Sequence, residues 1–276
     1  MAGERPSWAP TEVDVERPSA ARMYDYFLGG AHNFAVDRQM ADQVIATFPG
    51  TRRFAQLNRS FLRWSVRLLL DSGVRQFIDL GSGIPTVGNV HETAQRIDAD
   101  ARVVYVDNDP VAYAHSRSIL GKNNGAAAIN ADLRDVDAVL ADPTLRGLID
   151  LDQPVGLLTV AVLHFIPDSD DPSAILGRYH DAVVSGSHLV VSHGLAEPRQ
   201  EGEREDDRST TVKKVYSRSA TPLTLRSESE VAALFGRFAI LERPGLVNAG
   251  LFSGGDYYDG PDADWGPGVV GIGRKA

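Results

Sequence analysis

Gln76-Phe77-Ile78-Asp79-Leu80-Gly81-Ser82-Gly83-Ile84-Pro85-Thr86 is the stretch from which the architecture can be read. Its first five residues form a short apolar run broken by one carboxylate, the pattern of a strand covered on both faces of a parallel sheet. Gly81 and Gly83 follow at once. Two glycines let the backbone turn tightly and approach a bound molecule that a side chain would exclude. A helix is expected over residues 86–97, with its first amides aimed back at the turn. By itself a Gly-x-Gly turn is a weak sign, because any strand-to-helix connection can use one.

Downstream, short apolar runs alternate with helical stretches, as in an open α/β sheet. Strands are expected at residues 102–107, 126–130, 155–160 and 188–192, with helices over 110–120 and 172–184. The unit 227–241 reads as a helix and then a sixth strand, with Gly236 between them, and residues 269–273 could close the sheet edge as a hairpin with that strand. The charged stretch 197–214 reads as a solvated helix or loop, a surface cap or a substrate lid. Upstream, Ser19 is placed to cap a helix that Gly29-Gly30 would stop. Two more helices are expected over residues 36–47 and 52–70, the latter on the helical spacing of Phe54, Leu57, Phe61, Leu62, Val66 and Leu69. The division is thus an arm (1–18), a helical cap (19–72) and an α/β core (73–276) integrated with the cap.

Doubly wound sheets bind ligands beyond the carboxyl ends of their strands, where the strand order reverses. Asp107 ends the second run and can accept hydrogen bonds from ribose hydroxyls, while Asp132, just past the third, suits an amine donor such as the exocyclic group of adenine. Two classes of cofactor share this geometry. A dinucleotide site prefers Gly-x-Gly-x-x-Gly, but the third position here is Thr86, and the chain has no Tyr-x-x-x-Lys pair.

Composition narrows the field. The 276 residues, 43% hydrophobic, suffice for a substantial core, and the absence of cysteine excludes disulfides, thiolate catalysis and cysteine-held metals. A formal charge of -9 disfavours a broad nucleic-acid surface. Neither a secretory leader nor a membrane-length apolar run is read, so the expected location is cytoplasmic. The seven histidines make no recognisable metal motif.

Four segments together carry a specific resemblance: Pro18-Ser19-Ala20-Ala21-Arg22-Met23-Tyr24-Asp25-Tyr26-Phe27-Leu28-Gly29-Gly30, Asp79-Leu80-Gly81-Ser82-Gly83-Ile84-Pro85-Thr86, Val104-Tyr105-Val106-Asp107-Asn108-Asp109-Pro110 and Ala161-Val162-Leu163-His164-Phe165. From Pro18 to Leu246 the chain resembles an S-adenosylmethionine-dependent methyltransferase-like family of actinobacteria, long grouped as a domain of unknown function. The resemblance implies a Rossmann-like class I methyltransferase fold: a seven-stranded, mostly parallel sheet with helices on both faces and an N-terminal helical cap. It also implies S-adenosylmethionine as cofactor, lined by Gly81, Gly83, Asp107, Asn108, Asp132 and Leu133, with Ser82 in the same turn. Pro85 stands where the broader methyltransferase pattern has its last glycine.

Methyl transfer to a hydroxyl or amine calls for a base, and His164, just after the fourth strand, is the candidate, either for that role or as part of the pocket wall. His193 and Tyr216, with Arg226, are candidates for contact with the acceptor. Tyr24, Asn33 and Arg59 of the helical cap are expected to close over the cofactor, Arg59 by gripping the methionine carboxylate with its fork of donors. The expected activity is methyl transfer to an unidentified small molecule. A cofactor-sensing module without catalysis and a nicotinamide-dependent oxidoreductase are the alternatives. Expected partners are the acceptor and, if the chain self-associates, a second copy in a homodimer, with no nucleic acid and no membrane.

Overall fold

In a computed structural model describing residues 14–85, 88–196, 216, 222–252 and 268–276, five apolar runs form adjacent parallel strands. These are β1 (Gln76–Leu80), β2 (Arg102–Asp107), β3 (Ala126–Asn130), β4 (Val155–Val160) and β5 (His188–Gly194). Their order, β3-β2-β1-β4-β5, reverses at β1, so the crevice opens beyond the carboxyl ends of β1 and β4. The rest of the sheet is antiparallel: β6 (Ala239–Ile240), β7 (Val247–Asn248) and β8 (Gly268–Arg274).

One expectation is corrected here. The last strand does not close an edge; it inserts between β5 and β6, pairing along the whole of β5 from His188↔Arg274 to Gly194↔Gly268. Its inner position explains its almost continuous burial. The main path has the seven strands expected, and β7 adds an eighth beside β8.

Alternate residues of each strand feed two cores. Phe77, Val103, Tyr105 and Leu158 pack with α3 (Thr51–Asp71) and α4 (Val90–Ile97) on one face. Ile78, Val104 and Leu157 pack on the other with α6 (Val136–Ala141), α7 (Pro143–Leu148), α8 (Pro172–Ala182) and α9 (Glu228–Leu234). Helices α6 and α7 were not expected; each begins at an aspartate cap, Asp135 and Asp142. Helix α5 (Pro110–Leu120) starts at the Asp109 cap with Pro110 in its first turn.

Helices α1 (Ala20–Phe27) and α2 (Ala35–Thr47) form a third cluster around Met23, Phe27 and Val44. Ser19 stands at the expected cap position of α1, but its hydroxyl donates to Asp109 instead of capping the helix. Thr86, the charged stretch 197–214 and most of the N-terminal arm lie outside the described residues. Among the described residues no helix is long and apolar enough to cross a membrane.

Candidate active site

The strand ends and α1 enclose a cavity of about 660 Å³. Asp79, the penultimate residue of β1, lines it with only 4% of its surface exposed. Burial pushes its carboxyl up to about 7, and the Arg59 guanidinium partly opposes that rise. Gly81 follows with φ +70°, and a Cβ there would stand 2.2 Å from Val162 Cγ2, so only glycine lets the turn lie against the loop after β4. In that loop Ala161 also adopts a positive φ, 59°, and its amide donates to Ser192 Oγ at 2.8 Å.

At the end of β2, Asp107 holds the loops together. Its Oδ2 accepts from the Gly83 amide at 2.7 Å and its Oδ1 from the Asp109 amide at 2.8 Å. Burial raises this carboxyl to about 6, against the lowering effect of those two amides. Next to it Asn108 Nδ2 donates to Asp132 Oδ2 at 3.2 Å, and Arg134 grips the same carboxylate through Nη2 at 2.6 Å and Nε at 3.0 Å. Asn108, Asp132, Leu133 and Arg134 all line the cavity.

The N-terminal helices supply the opposite wall. Arg22, 4% exposed, pairs with fully buried Asp37 at 2.8 Å and reaches Asp109 at 3.5 Å. Since Asp109 also accepts from Ser19 and caps α5, one carboxylate ties α1 to the loop after β2. Ser19, Ala20 and Tyr24 thereby face the cavity, the Tyr24 hydroxyl donating to the Ala55 carbonyl at 3.1 Å. From α3, Arg59 donates through Nη2 to the Gly88 carbonyl at 3.0 Å.

Two buried polar atoms of lining residues, Arg59 Nε and Ser82 Oγ, have no hydrogen-bond partner among the described residues. A buried group left so costs about 1–3 kcal/mol, which a polar ligand can offset. Together with two buried carboxylates and a glycine cradle, these atoms suit a zwitterionic nucleoside.

A family model for S-adenosyl methyltransferases matches residues 6–276. The chain belongs to the S-adenosyl methyltransferase family. A protein of Thermobifida fusca YX with a provisional methyltransferase assignment is 35% identical, with 98% of this chain and 99% of that one covered and a TM-score of 0.86. A DUF574 family protein of Streptomyces avermitilis MA-4680 is 32% identical over 95% of this chain and 99% of that one, with a TM-score of 0.84. No curated protein matches significantly in sequence. S-adenosylmethionine is therefore the cofactor, and the reaction is methyl transfer.

In this methyltransferase, Gly81, Ser82, Gly83, Asp107, Asn108, Asp132, Leu133, Tyr24 and Arg59 meet around this cavity, while five other expected residues, Asn33, His164, His193, Tyr216 and Arg226, stand outside its lining. Asn33 instead donates to the Asp25 carboxylate at 2.8 Å and to the Gly30 carbonyl at 3.0 Å, shaping the turn after α1. His164 is buried with its ring edge-on to Phe165 and His193, and its Nδ1 accepts from the Gly194 amide at 3.4 Å. Burial, reinforced by His193 and Arg226, holds it well below the ordinary imidazole range, so it is neutral and weakly basic. His193, wholly buried and lowered to about 4 chiefly by burial, donates from Nδ1 to the Gly194 carbonyl and accepts at Nε2 from Arg226. Arg226 also binds the Leu163 and Ile166 carbonyls and Asp168, so it braces the wall after β4 from behind. Tyr216 is buried against Phe165 at 5.5 Å between ring centres.

Lining residues missed from the sequence include Asp79, Asp109 and Arg134. Asp79 was visible as the lone carboxylate of a buried strand, and Asp109 as the cap before Pro110. Arg134 gave no signal, because neither its fork on Asp132 nor its reach to Asp170, 36 residues away, has a recognisable motif.

Proposed function

We propose that the cavity holds S-adenosylmethionine with its nucleoside along Asp107, Asn108, Asp132 and Leu133 and its amino-acid end between Asp79 and Arg59, and that the methyl acceptor is a small molecule. The convergence of residues from three successive strand ends, β1, β2 and β3, on one cavity carries this reading. Bound there, the cofactor supplies an electrophilic methyl group on a sulfonium centre. Asp107 accepts from the ribose hydroxyls, the Ser82 hydroxyl and Gly81-Gly83 backbone cradle the chain beyond the ribose, and the opposite charges of Asp79 and Arg59 match an ammonium and a carboxylate. A cavity of this size, roofed by α1, accommodates a small acceptor. Phe165, Ile166 and Pro167 give it an apolar wall after β4.

We assign His164 to bracing that wall, since its ring is neutral and turned among Phe165 and His193. Calorimetry with S-adenosylmethionine, S-adenosylhomocysteine and NAD tests the cofactor assignment; tight NAD binding with no response to the other two would overturn it. For the amino-acid end, Arg59→Ala should weaken S-adenosylmethionine by about tenfold or more while leaving adenosine nearly unchanged. Equal losses for the two ligands would remove Arg59 from that role.

A further inference from the structure

Asp132 is held more firmly than a carboxylate on a strand-end loop needs to be. Its Oδ1 accepts from the Arg134 amide at 2.9 Å and from Arg134 Nε at 3.0 Å. Its Oδ2 accepts from Arg134 Nη2 at 2.6 Å and Asn108 Nδ2 at 3.2 Å. The other arm of the same guanidinium, Nη1, reaches Asp170 Oδ2 at 2.7 Å, tying the loop after β3 to the loop after β4. A carboxylate offers about four lone-pair sites, so those of Asp132 are all engaged. Arg134 Nε also lies 3.1 Å from Oδ2, and the Asn108 contact is longer than any that Arg134 makes and the one that does not come from it, so it is the one a ligand donor can replace.

We propose that Arg134 is the positioning residue of the nucleobase end: its fork fixes the plane of the Asp132 carboxylate so that this carboxylate accepts from the exocyclic amine of adenine, and its tie to Asp170 fixes that plane against the β4 wall. The inference rests on the placement of the nucleoside proposed above. Hydrogen bonding from Arg134 also holds the Asp132 carboxyl below its ordinary range, so it stays a pure acceptor near neutral pH. An amine takes the place of the long Asn108 contact there, whereas a purine lacking it adds nothing to that acceptor and loses the discriminating bond.

The test is calorimetric binding of S-adenosylhomocysteine and its analogue with purine in place of adenine, to the native protein, Arg134→Ala and Arg134→Lys. The side chain of Arg134 is 48% exposed, so both variants should fold, as thermal melting will show. The native protein should prefer the adenine ligand by about tenfold or more, and both variants should bring that ratio close to unity, because a lysine keeps the charge but cannot fork. If both ligands weaken by one factor and the ratio survives in Arg134→Ala, Arg134 merely supports the loop and the proposal fails. Survival of the ratio in Arg134→Lys alone would reduce the role to charge and equally reject positioning. A native protein that binds both ligands equally would show that Asp132 does not read the amine, and one that binds neither would refute the placement of the cofactor itself.

Discussion

A Cβ on Gly81 would collide with Val162, and the φ of +70° is costly for any other residue. Gly81→Ala should therefore leave the far-ultraviolet circular dichroism unchanged while weakening S-adenosylhomocysteine by about tenfold or more, as calorimetry will measure. Asp79 carries a different prediction. Its carboxyl titrates near 7 in the folded protein against an ordinary value of 3.8, so between those values the folded state binds a proton that the unfolded chain has released. The stability of the ligand-free protein should fall as pH rises through that window, by at most about 1.4 kcal/mol per pH unit from this group. Asp107, raised to about 6, adds to the fall in the same direction. Asp79→Asn should flatten the dependence when melting is compared at about pH 5 and about pH 8; an unchanged dependence would locate the titration elsewhere. Glycines and strand-end carboxylates announce themselves in sequence because strand ends are local features. The neutral state of His164 did not, because it follows from burial among Phe165, His193 and Arg226, which come from separate segments.

Helix α1 is held less by its own turn chemistry than by charge. Ser19 spends its hydroxyl on Asp109, and fully buried Asp37 accepts from Arg22 Nε, the Ser19 amide and the Phe34 amide. Asp37→Ala leaves a buried guanidinium and two amides without that partner, so it should cost about 3–5 kcal/mol in urea denaturation. A loss below about 1 kcal/mol would mean that apolar packing around Met23 and Phe27 alone secures the helix. The extents of β1 through β4 were legible from their apolar runs, since buried parallel strands are nearly continuous in hydrophobic residues. Helices α6 and α7 were not: each has only six residues, too few to establish a helical period, although Asp142-Pro143 marks where one gives way to the other.

The cavity draws its walls from segments far apart in the chain, from Asp14 before α1 to Pro222, so ligand binding should stabilise the fold as a unit. S-adenosylhomocysteine at about a hundredfold excess over its Kd should add about 2.7 kcal/mol and raise Tm by roughly 5–10 °C in scanning fluorimetry. No shift at such an excess would contradict binding in this cavity. The open parallel sheet was expected from alternating strands and helices, but the inner place of β8 was not, because antiparallel partners across a sheet leave no local mark in the sequence. That place also bears on the order in which the chain is made. A ribosome delivers β1 to β5 first, and β5 keeps an open edge until residue 274 has emerged to pair with His188. A nascent chain can thus assemble five parallel strands and must then wait, with a bare hydrogen-bonding edge on offer to any neighbouring polypeptide, for its final strand to slide in.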